Sequence, residues 1–253
     1  MIDSHCHLHH CEYDDAVNIV QEASDSGLSD IIQVSTDPDS YAWGKELLKR
    51  ELAIPVHISA GLYPTRAAKE WRPDFNIIKS IVENDNPCAI GEIGIDLYRD
   101  KSYLDEQEKM MRAHMELAHE HNLPVILHCR NSWESLSKIV LDYSSKVKGV
   151  WHCFDGSYEE AMTLIDIGYY ISLSGLLTFK STKALQDIVK KLPLEKLLIE
   201  TDSPYLSPTP LRGRKNQPAH IVHTFNFLSD LKECQPNELE TILDRNTRSL
   251  FNI

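Results

Sequence analysis

The chain has 253 residues, of which 42% are hydrophobic and 25% are charged, so it can bury a sizeable core without disulfides. This composition excludes disordered, collagen-like and coiled-coil proteins, and no apolar run approaches the roughly 18 residues of a membrane-spanning helix. The net charge of −12 argues against a long electrostatic footprint on DNA or RNA, although bound divalent cations can reverse the charge of a site.

The N-terminal residues and the cysteines predict a cytoplasmic protein. The first residues, MIDSHCHLHHCEYDD, contain neither the basic segment nor the apolar segment of a secretory signal. The six cysteines form no CxxC pair and no spacing typical of a disulfide framework. We therefore expect reduced thiols, a cytoplasmic monomer and no contact with a membrane.

Short apolar runs alternate with amphipathic stretches along the whole chain. Several of these runs are continuously apolar, which is typical of parallel strands covered by helices on their outer face. The eight predicted strands are Met1–His7, Asp30–Ser35, Pro55–Gly61, Pro87–Gly91, Pro124–His128, Lys148–His152, Tyr169–Leu173 and Lys196–Glu200.

The amphipathic stretches predict helices between these strands and at the end of the chain. Eight βα units in a chain of this length favour one (β/α)8 barrel domain over residues 1–253, with a doubly wound open sheet as the alternative. The sequence has no Gly-rich phosphate loop. The predicted helices are Asp14–Ser26, Ser40–Glu51, Asp74–Asn84, Leu104–Asn122, Ser132–Ser144, Tyr158–Ile167, Ser181–Lys191, Ile221–Leu231 and Glu238–Leu250.

Polar side chains of the types that bind metals lie at or just past the C-terminal ends of five predicted strands. In a (β/α)8 barrel these strand ends and the loops after them form the catalytic face. The joint placement therefore predicts one convergent site. Its six predicted metal ligands are His5, His7, Glu92, His128, His152 and Asp202.

The spacing of His5 and His7 supports a shared ion. On a strand residues i and i+2 point to the same side, whereas on a helix they would diverge by roughly 200°. Imidazoles suit Zn or Mn, and carboxylates also admit Mg. We expect one or two divalent cations (Mg, Mn or Zn), about 3.5–4 Å apart if two bind, with Glu92 bridging them.

Each of these residues also has a structural explanation when it is taken alone. A single His-x-His pair is a weak signal, and His128 or His152 could be a buried, hydrogen-bonded histidine. Glu92 could be a turn carboxylate, and Asp202 could cap a helix before Pro204. The metal-site hypothesis depends on the joint pattern.

Six motifs occur in the same order as in a known family. Together they resemble the TatD family of metal-dependent deoxyribonucleases, within the amidohydrolase-like superfamily. The resemblance implies a (β/α)8 barrel, a divalent-metal site made by the six residues, and hydrolysis of DNA phosphodiesters, often as a 3′-to-5′ exonuclease. The expected substrate is single-stranded DNA or DNA 3′ ends. The motifs are DSHCHL at 3–8, GEIGID at 91–96, LHCR at 127–130, WHCF at 151–154, ETDSPYL at 200–206 and RGRKNQP at 212–218.

The sequence departs from the family pattern at one position. The family usually has Gly-x-His-Pro after the third strand, where this chain has Gly61-Leu62-Tyr63-Pro64. The family His is thought to contact substrate phosphate. Tyr63 can donate one hydrogen bond but carries no positive charge at neutral pH, so we expect altered phosphate affinity or substrate choice.

Two further positions are predicted to bind substrate together with Tyr63. Arg130 could hold a phosphate oxygen in a bidentate contact, or form a surface salt bridge instead. Arg212 belongs to a basic cluster with Arg214 and Lys215, which could contact the DNA backbone or be a solvated loop.

The predicted mechanism uses a metal-activated water that attacks the phosphodiester. In this hypothesis Asp202 binds metal and accepts the proton of the water, and Glu92 bridges the ions. The alternative is a metal-dependent deacylase or amidohydrolase, for example one that removes D-amino acids from aminoacyl-tRNA. The residue at Tyr63 and the acidic net charge favour this alternative. A non-catalytic binding module would be expected to lack some of the metal ligands. All six predicted ligands are present, which argues against such a module.

The remaining candidate residues are predicted to be structural or secondary to the site. Cys129 and Cys153 should point away from the metal face and pack in the interior. Asp3 and Glu200 could orient imidazoles or be merely structural. The histidines without strand-end placement are predicted to be surface or loop residues: His9, His10, His57, His114, His119, His121, His220 and His223.

Overall fold

The computed structural model describes residues 1–98 and 100–253 and, within them, contains eight parallel strands and nine α-helices. Strands and helices alternate from β1 to β8, and α8 and α9 complete the chain. The strands are β1 (Ile2–Cys6), β2 (Asp30–Gln33), β3 (Val56–Ile58), β4 (Ile90–Asp96), β5 (Val125–Arg130), β6 (Gly149–Trp151), β7 (Tyr170–Leu173) and β8 (Leu197–Ile199).

The helices pack around the strands as the outer layer of the molecule. Short 3₁₀ turns lie in the loops between them. The helices are α1 (Tyr13–Asp25), α2 (Pro38–Leu47), α3 (Arg72–Asp85), α4 (Leu104–His121), α5 (Trp133–Asp142), α6 (Tyr158–Asp166), α7 (Lys183–Val189), α8 (Ile221–Lys232) and α9 (Pro236–Phe251).

The strands form two sheets, β1-β2-β3 and β4-β5-β6-β7-β8, which are joined at both edges. At one edge Ala60 pairs with Ile90, and the Ala60 amide donates to the Ala89 carbonyl at 3.0 Å. At the other edge Cys6 pairs with Ser203, and the His7 amide donates to the Ser203 carbonyl at 2.8 Å. The eight strands therefore surround one interior, as in the predicted (β/α)8 barrel and unlike an open sheet.

Two buried apolar layers hold this arrangement together. Along β2, Ile31 belongs to the large cluster that lies between strands and helices, whereas Ile32 belongs to a separate inner cluster. The inner cluster takes Ile126 from β5 and Leu198 from β8, and Phe251 of α9 packs against it. Successive strand residues thus point alternately to the helices and to the barrel interior, which explains why the strands are apolar on both faces.

The predicted bounds are least accurate at β4, which was expected to end at Gly91 but extends to Asp96. In the structure a side chain at Gly91 would collide with Ile126 of β5, so glycine permits close strand packing there. Glu92 consequently lies within a strand and not in the loop after it.

Local capping signals set the start or end of several helices. Asp37 accepts from the Ser40 amide at 2.8 Å at the start of α2, and Ser157 and Glu160 form the equivalent box at α6. Asn122, with φ of 52°, caps α4 directly after its last residue, His121, one residue before the predicted end. Among the described residues, no helix is both long enough and apolar enough to cross a membrane.

Candidate metal centre

The structure places all six predicted ligands at the same end of the barrel, where the strands finish. This is the end at which active sites of (β/α)8 barrels are built. They are His5 in β1, His7 one residue after β1, Glu92 in β4, His128 in β5, His152 one residue after β6 and Asp202 three residues after β8.

Four of the six side chains form a first donor set. The Nε2 atoms of His5 and His7 lie 3.1 Å apart, as the alternation of side chains along a strand predicts. Asp202 Oδ1 lies 3.7 Å from His5 Nε2 and 3.5 Å from His7 Nε2. Glu92 Oε2 lies 3.8 and 3.6 Å from the same two nitrogens.

The other oxygen of Glu92 belongs to a second donor set. Glu92 Oε1 lies 2.8 Å from His128 Nδ1 and 3.0 Å from His152 Nε2. The two imidazole nitrogens are 3.3 Å apart. Glu92 therefore directs one carboxylate oxygen to each set, which is the placement a bridging ligand requires.

The spacing of these donor atoms fits divalent ions. Ligands held at about 2.1 Å around one ion are separated by roughly 3.0 Å in an octahedral site and 3.4 Å in a tetrahedral site. The distances of the imidazole nitrogens from one another and from the carboxylate oxygens in the two sets span 2.8–3.8 Å. Several of the longer ones exceed ordinary hydrogen bonds, so direct bonding between the groups does not explain their convergence. Imidazoles with carboxylates are a donor set for Zn, Mn or Fe.

The protonation states of Glu92 and of the ligand imidazoles depend on one another. Burial alone would raise the pKa of Glu92, but the imidazoles of His152 and His128 outweigh it and hold this pKa well below its usual value. Burial and the neighbouring His152 lower the pKa of His5 well below its usual value. Glu92 is therefore ionised and His5 is neutral, which are the protonation states that metal ligation needs. Despite their burial, the neighbouring carboxylates raise the pKa of His128 and His152, so a bound ion would displace a proton from each of these imidazoles.

A backbone carbonyl and a carboxylate each accept a hydrogen bond from a ligand imidazole and so fix its orientation. His7 Nδ1 donates to the Val34 carbonyl at 3.0 Å, which leaves Nε2 facing the site. His152 Nδ1 donates to Glu200 Oε1 at 3.2 Å, and the same oxygen accepts from the Cys153 amide at 2.7 Å. Such outer contacts select the tautomer and orientation of a metal-binding imidazole.

Asp3 has a different role from Glu200, although the sequence alone left the same two roles open for both residues. Its carboxylate accepts from the Thr201 amide at 2.9 Å and the Thr201 hydroxyl at 2.5 Å, and it does not touch an imidazole of the described residues. Burial raises the pKa of Asp3 to about 7. Asp3 therefore connects β1 to the segment before Asp202, whereas Glu200 orients His152.

Tyr63 lies at the site, as predicted, and contacts a residue that the sequence analysis did not single out. Its hydroxyl is 3.2 Å from Asp96 Oδ2 and 3.3 Å from His128 Nε2. Asp96 Oδ2 is in turn 3.5 Å from His128 Nε2. Burial raises the pKa of Tyr63, so the hydroxyl stays protonated and donates. The sequence signal for Asp96 was its place at the end of the GEIGID motif.

The two predicted phosphate-binding arginines both lie against aromatic rings. The Arg130 guanidinium is 3.7 Å from the ring centre of Tyr98, and that of Arg212 is 3.5 Å from the ring centre of Phe179. Within the described residues neither forms an ion pair with a carboxylate, so the salt-bridge alternative for Arg130 is not observed there. Both side chains are exposed.

Asn216, in the RGRKNQP motif, is a second residue whose role was missed. Its buried amide donates to the Thr201 carbonyl at 2.9 Å and the Tyr205 carbonyl at 2.6 Å. It thereby anchors the loop that carries Arg212 to the segment containing Asp202. Arg214 and Lys215 are exposed on this loop, which is compatible with both the DNA-contact and the solvated-loop alternatives.

The histidine predictions were wrong for His114, which is fully buried in α4. His9 and His57 are half-buried and hydrogen-bonded, to Gln33 and Asp30 respectively. His10, His119 and His121 are exposed, and His220 and His223 are half-buried.

The two cysteines that follow ligands do not join the donor sets. Cys129 Sγ lies 3.3 Å from Ser132 Oγ, and Cys153 Sγ lies 3.2 Å from Ser174 Oγ. Burial raises the pKa of both thiols, so both stay protonated. Their placement agrees with side chains that point away from the metal face.

Comparison with known proteins identifies the family. A family model described as TatD related DNase matches residues 2–252. The chain belongs to the TatD family. A protein of Buchnera aphidicola named an uncharacterized metal-dependent hydrolase is 37% identical, covering 100% of this chain and 99% of its own. YabD of Bacillus subtilis, with the same description, is 33% identical, with coverage of 100% and 99%.

Solved structures of TatD proteins share the fold. The crystal structure of the Escherichia coli TatD homologue YjjV has a TM-score of 0.93 at 29% identity, covering 100% of this chain and 98% of its own. A TatD family hydrolase from Entamoeba histolytica has a TM-score of 0.86 at 25% identity, covering 99% and 97%. The predicted barrel and family resemblance are confirmed, and at this coarse level the protein is a metal-dependent hydrolase of the TatD family.

Proposed function

We propose that this TatD protein is a divalent-metal-dependent deoxyribonuclease that hydrolyses DNA phosphodiesters, with an exonuclease-like action at single-stranded 3′ ends. One observation carries the proposal. Two sets of nitrogen and oxygen donors converge on Glu92, and each set has the spacing of ligands around one ion. Two adjacent cations suit phosphodiester cleavage, because both the attacking and the leaving oxygen need charge stabilisation.

The residues of the two sets would hold the ions. His5, His7 and Asp202 would bind one ion and His128 and His152 the other, and Glu92 would bind both. Ions bound there would lower the pKa of a water and would neutralise charge on phosphate oxygens. The identity of the native metal among Mg, Mn and Zn is part of the test below.

Asp202 is the residue best placed to accept a proton from the attacking water. Its side chain is 13% exposed, whereas those of His5 and Glu92 are 1% and 3% exposed, so water reaches Asp202 more readily. Arg130 and Arg212 lie exposed and unpaired among the described residues, where they can contact phosphate oxygens of the substrate.

A metal-dependent deacylase acting on aminoacyl-tRNA is the second candidate. The observation that favours it is Tyr63, which contacts His128 without the positive charge of the family histidine. Carbonyl hydrolysis requires less neutralisation of anionic charge at the reacting centre than phosphodiester hydrolysis does. The same donor sets could serve either reaction.

The test is hydrolysis by protein reconstituted separately with Mg, Mn and Zn, on labelled single-stranded DNA beside a D-aminoacyl-tRNA. Asp202→Asn should lower the rate on DNA by about 10³-fold or more without changing the fold measured by circular dichroism. Asp187→Asn, an exposed carboxylate on α7, is the matched control and should keep the wild-type rate. Hydrolysis of the aminoacyl-tRNA alone would overturn the proposal, and so would an unchanged rate in Asp202→Asn.

The proposed location is the cytoplasm and the proposed state is a monomer. All six cysteines are free thiols, which supports a reducing compartment. Size-exclusion chromatography with light scattering tests the monomer directly.

A further inference from the structure

A cavity of about 720 Å³ lies beside the candidate metal centre, between the loops that follow β4, β5 and β6. This volume is in the range of roughly 300–1,000 Å³ typical of small-molecule sites. The ligands of the metal centre do not line it. The cavity is therefore a separate feature of the catalytic face that still needs a function.

The cavity lies close to the candidate metal centre along the chain, because residues adjacent to His128 and His152 line it. Cys129 and Trp151 line it from the sides of their strands that face away from the ligands. Arg130 lines it and lies two residues after His128 on β5, so the two side chains point to the same side of the strand. Phe154 lines it from the other loop, two residues after His152. A substrate held at His128 and His152 would extend its neighbouring group into this cavity.

Aromatic rings form much of the cavity wall. Trp133 and Trp151 pack with ring centres 5.1 Å apart, and the buried Phe154 lies nearby on the same wall. Tyr98 is 57% exposed, and the Arg130 guanidinium stacks on its ring. Flat aromatic surfaces beside a guanidinium are the arrangement that stacks with nucleobases.

The polar lining contains carboxylates beside side chains that can donate hydrogen bonds, among them Arg130, Asn131 and Ser135. Among the described residues the cavity has three carboxylates, Glu134, Asp155 and Glu160, and one cation, Arg130. Glu160 Oε2 already accepts from the Ser157 amide at 2.8 Å. Asp155 is exposed at the cavity and forms no ion pair with another described residue. A group bound there must present donors to a carboxylate.

We propose that this cavity is a nucleobase subsite that favours bases with an exocyclic amino group over thymine. Adenine, cytosine and guanine carry such an amino group. Thymine has carbonyl oxygens in place of it, and its one ring donor, N3–H, lies between these two oxygens, which a carboxylate repels. The inference rests on the proposed deoxyribonuclease activity. It adds that the base next to the cleaved phosphate is bound by Tyr98 and sensed by Asp155.

The test uses a substrate without a base, so that chemistry and base binding are measured apart. Hydrolysis of a labelled oligonucleotide made of abasic (tetrahydrofuran) residues reports phosphodiesterase activity, and dAMP, dCMP, dGMP and dTMP are added as competitive inhibitors. We expect dAMP and dCMP to inhibit about fivefold more strongly than dTMP, the size of one exposed charge-assisted hydrogen bond.

Single substitutions separate the contribution of stacking on Tyr98 from that of hydrogen bonding to Asp155. Tyr98→Ala should raise the inhibition constants of all four nucleotides by about fivefold or more through lost stacking, whereas Tyr98→Phe should not. Asp155→Asn should remove the discrimination against dTMP, and Glu159→Gln, an exposed carboxylate of α6 outside the cavity, should preserve it. Turnover of the base-free substrate should stay within about twofold in all four variants, since none of these residues is a proposed ligand.

A second readout covers the case in which no phosphodiester is hydrolysed. Trp133 and Trp151 line the cavity, so binding of the same nucleotides should quench tryptophan fluorescence without turnover. Hydrolysis with equal inhibition by all nucleotides, unchanged in Tyr98→Ala, would overturn the subsite and leave the proposed function intact. Absent hydrolysis with base-dependent quenching would overturn the proposed function and keep the subsite.

Discussion

The hydroxyl of Tyr63 has only one hydrogen to donate, and the structure gives it a protein acceptor. It lies 3.2 Å from Asp96 Oδ2, an ionised carboxylate whose own partner is His128. A hydrogen bond to Asp96 leaves the hydroxyl without a proton for a substrate phosphate. The geometry therefore favours a role for Tyr63 in positioning His128, and phosphate contact stays the alternative.

Replacing Tyr63 with phenylalanine distinguishes these roles. The variant keeps the ring and removes the hydroxyl, so we expect about tenfold weaker metal activation, the lower end of the usual effect of an outer-contact mutation. KM for substrate at saturating metal should be unchanged. The measurement is rate against metal concentration at several substrate concentrations. A raised KM with unchanged metal dependence would instead assign Tyr63 to the phosphate.

His114 is a buried histidine whose environment keeps it neutral. Its Nδ1 donates to the Met110 carbonyl at 2.8 Å, its ring contacts Phe75, and its Nε2 has no partner among the described residues. Burial lowers the pKa of His114 from 6.5 to about 4. Because the folded state has the lower pKa, the unfolded chain binds more protons between these values. Stability from this group is complete above pH 6.5 and is lost as the pH falls toward 4.

His114→Phe should therefore flatten the acid side of the stability curve. Between pH 7 and pH 4.5 we expect the free energy of unfolding of the wild type to fall by about 2–3 kcal/mol more than that of the variant. Urea denaturation at both pH values measures the difference. His119→Gln, on the exposed face of the same helix, should behave like the wild type. Equal pH dependence in wild type and His114→Phe would contradict the assignment.

Among the secondary-structure elements, β4 and β5 form the most closely packed pair beside the site. Gly94 has φ of 147°, and a side chain there would overlap the carbonyl oxygen of His128. The close approach sets the register in which Gly94 pairs with His128 and Asp96 pairs with Arg130. Glu92 and His128 thereby come within 2.8 Å of each other on adjacent strands.

Gly94→Ala is expected to disrupt this pair of strands. The substitution adds an unfavourable backbone conformation and a clash with β5 backbone, so we expect a loss of about 3 kcal/mol or more in unfolding free energy. Gly168→Ala is the control, because Gly168 also has a positive φ, of 93°, but no atom within 4 Å of the added group. It should lose only about 1 kcal/mol. Equal losses in the two variants, by urea denaturation, would refute the argument from close packing.

For the whole molecule, the metal centre connects segments from both sheets of the barrel. His5 and His7 come from the three-stranded sheet, and Glu92, His128 and His152 come from the five-stranded sheet or the loops after its strands. An ion bound by both groups would hold the two sheets together. Ligands that bind only the folded state stabilise it by mass action.

Divalent metal should accordingly raise the melting temperature of the protein. At a free concentration one hundred times Kd the gain is about 2.7 kcal/mol, which corresponds to about 5–10 °C for a chain of this size. Differential scanning fluorimetry with added Mn²⁺ or with a chelator measures the shift. Glu92→Gln should lose most of it, because both donor sets use this carboxylate. A full shift in that variant would contradict the shared role of Glu92.

The sequence by itself determined the eight strands, the barrel and the six candidate ligands. Each of these features depends on the order of residues along a short segment. The segments show the periodicity of apolar residues, the position of polar residues at strand ends, and the two-residue spacing of His5 and His7. Because parallel strands of a barrel all end at one face, strand-end residues far apart in sequence had to meet. The extent of β4 was the exception, since the glycines there serve contacts with β5.

Only the tertiary structure decided which polar groups touch. Tyr63 and Asp96 meet across 33 residues, His152 and Glu200 across 48, and Asp3 and Thr201 across 198. Glu200 orients an imidazole whereas Asp3 does not, although both precede a ligand by two residues. The burial of His114 and the cavity near His128 also depend on how separate elements pack. Side-chain contacts depend on how separate elements pack, and packing distances of a few ångströms are not encoded in the order of residues along one element.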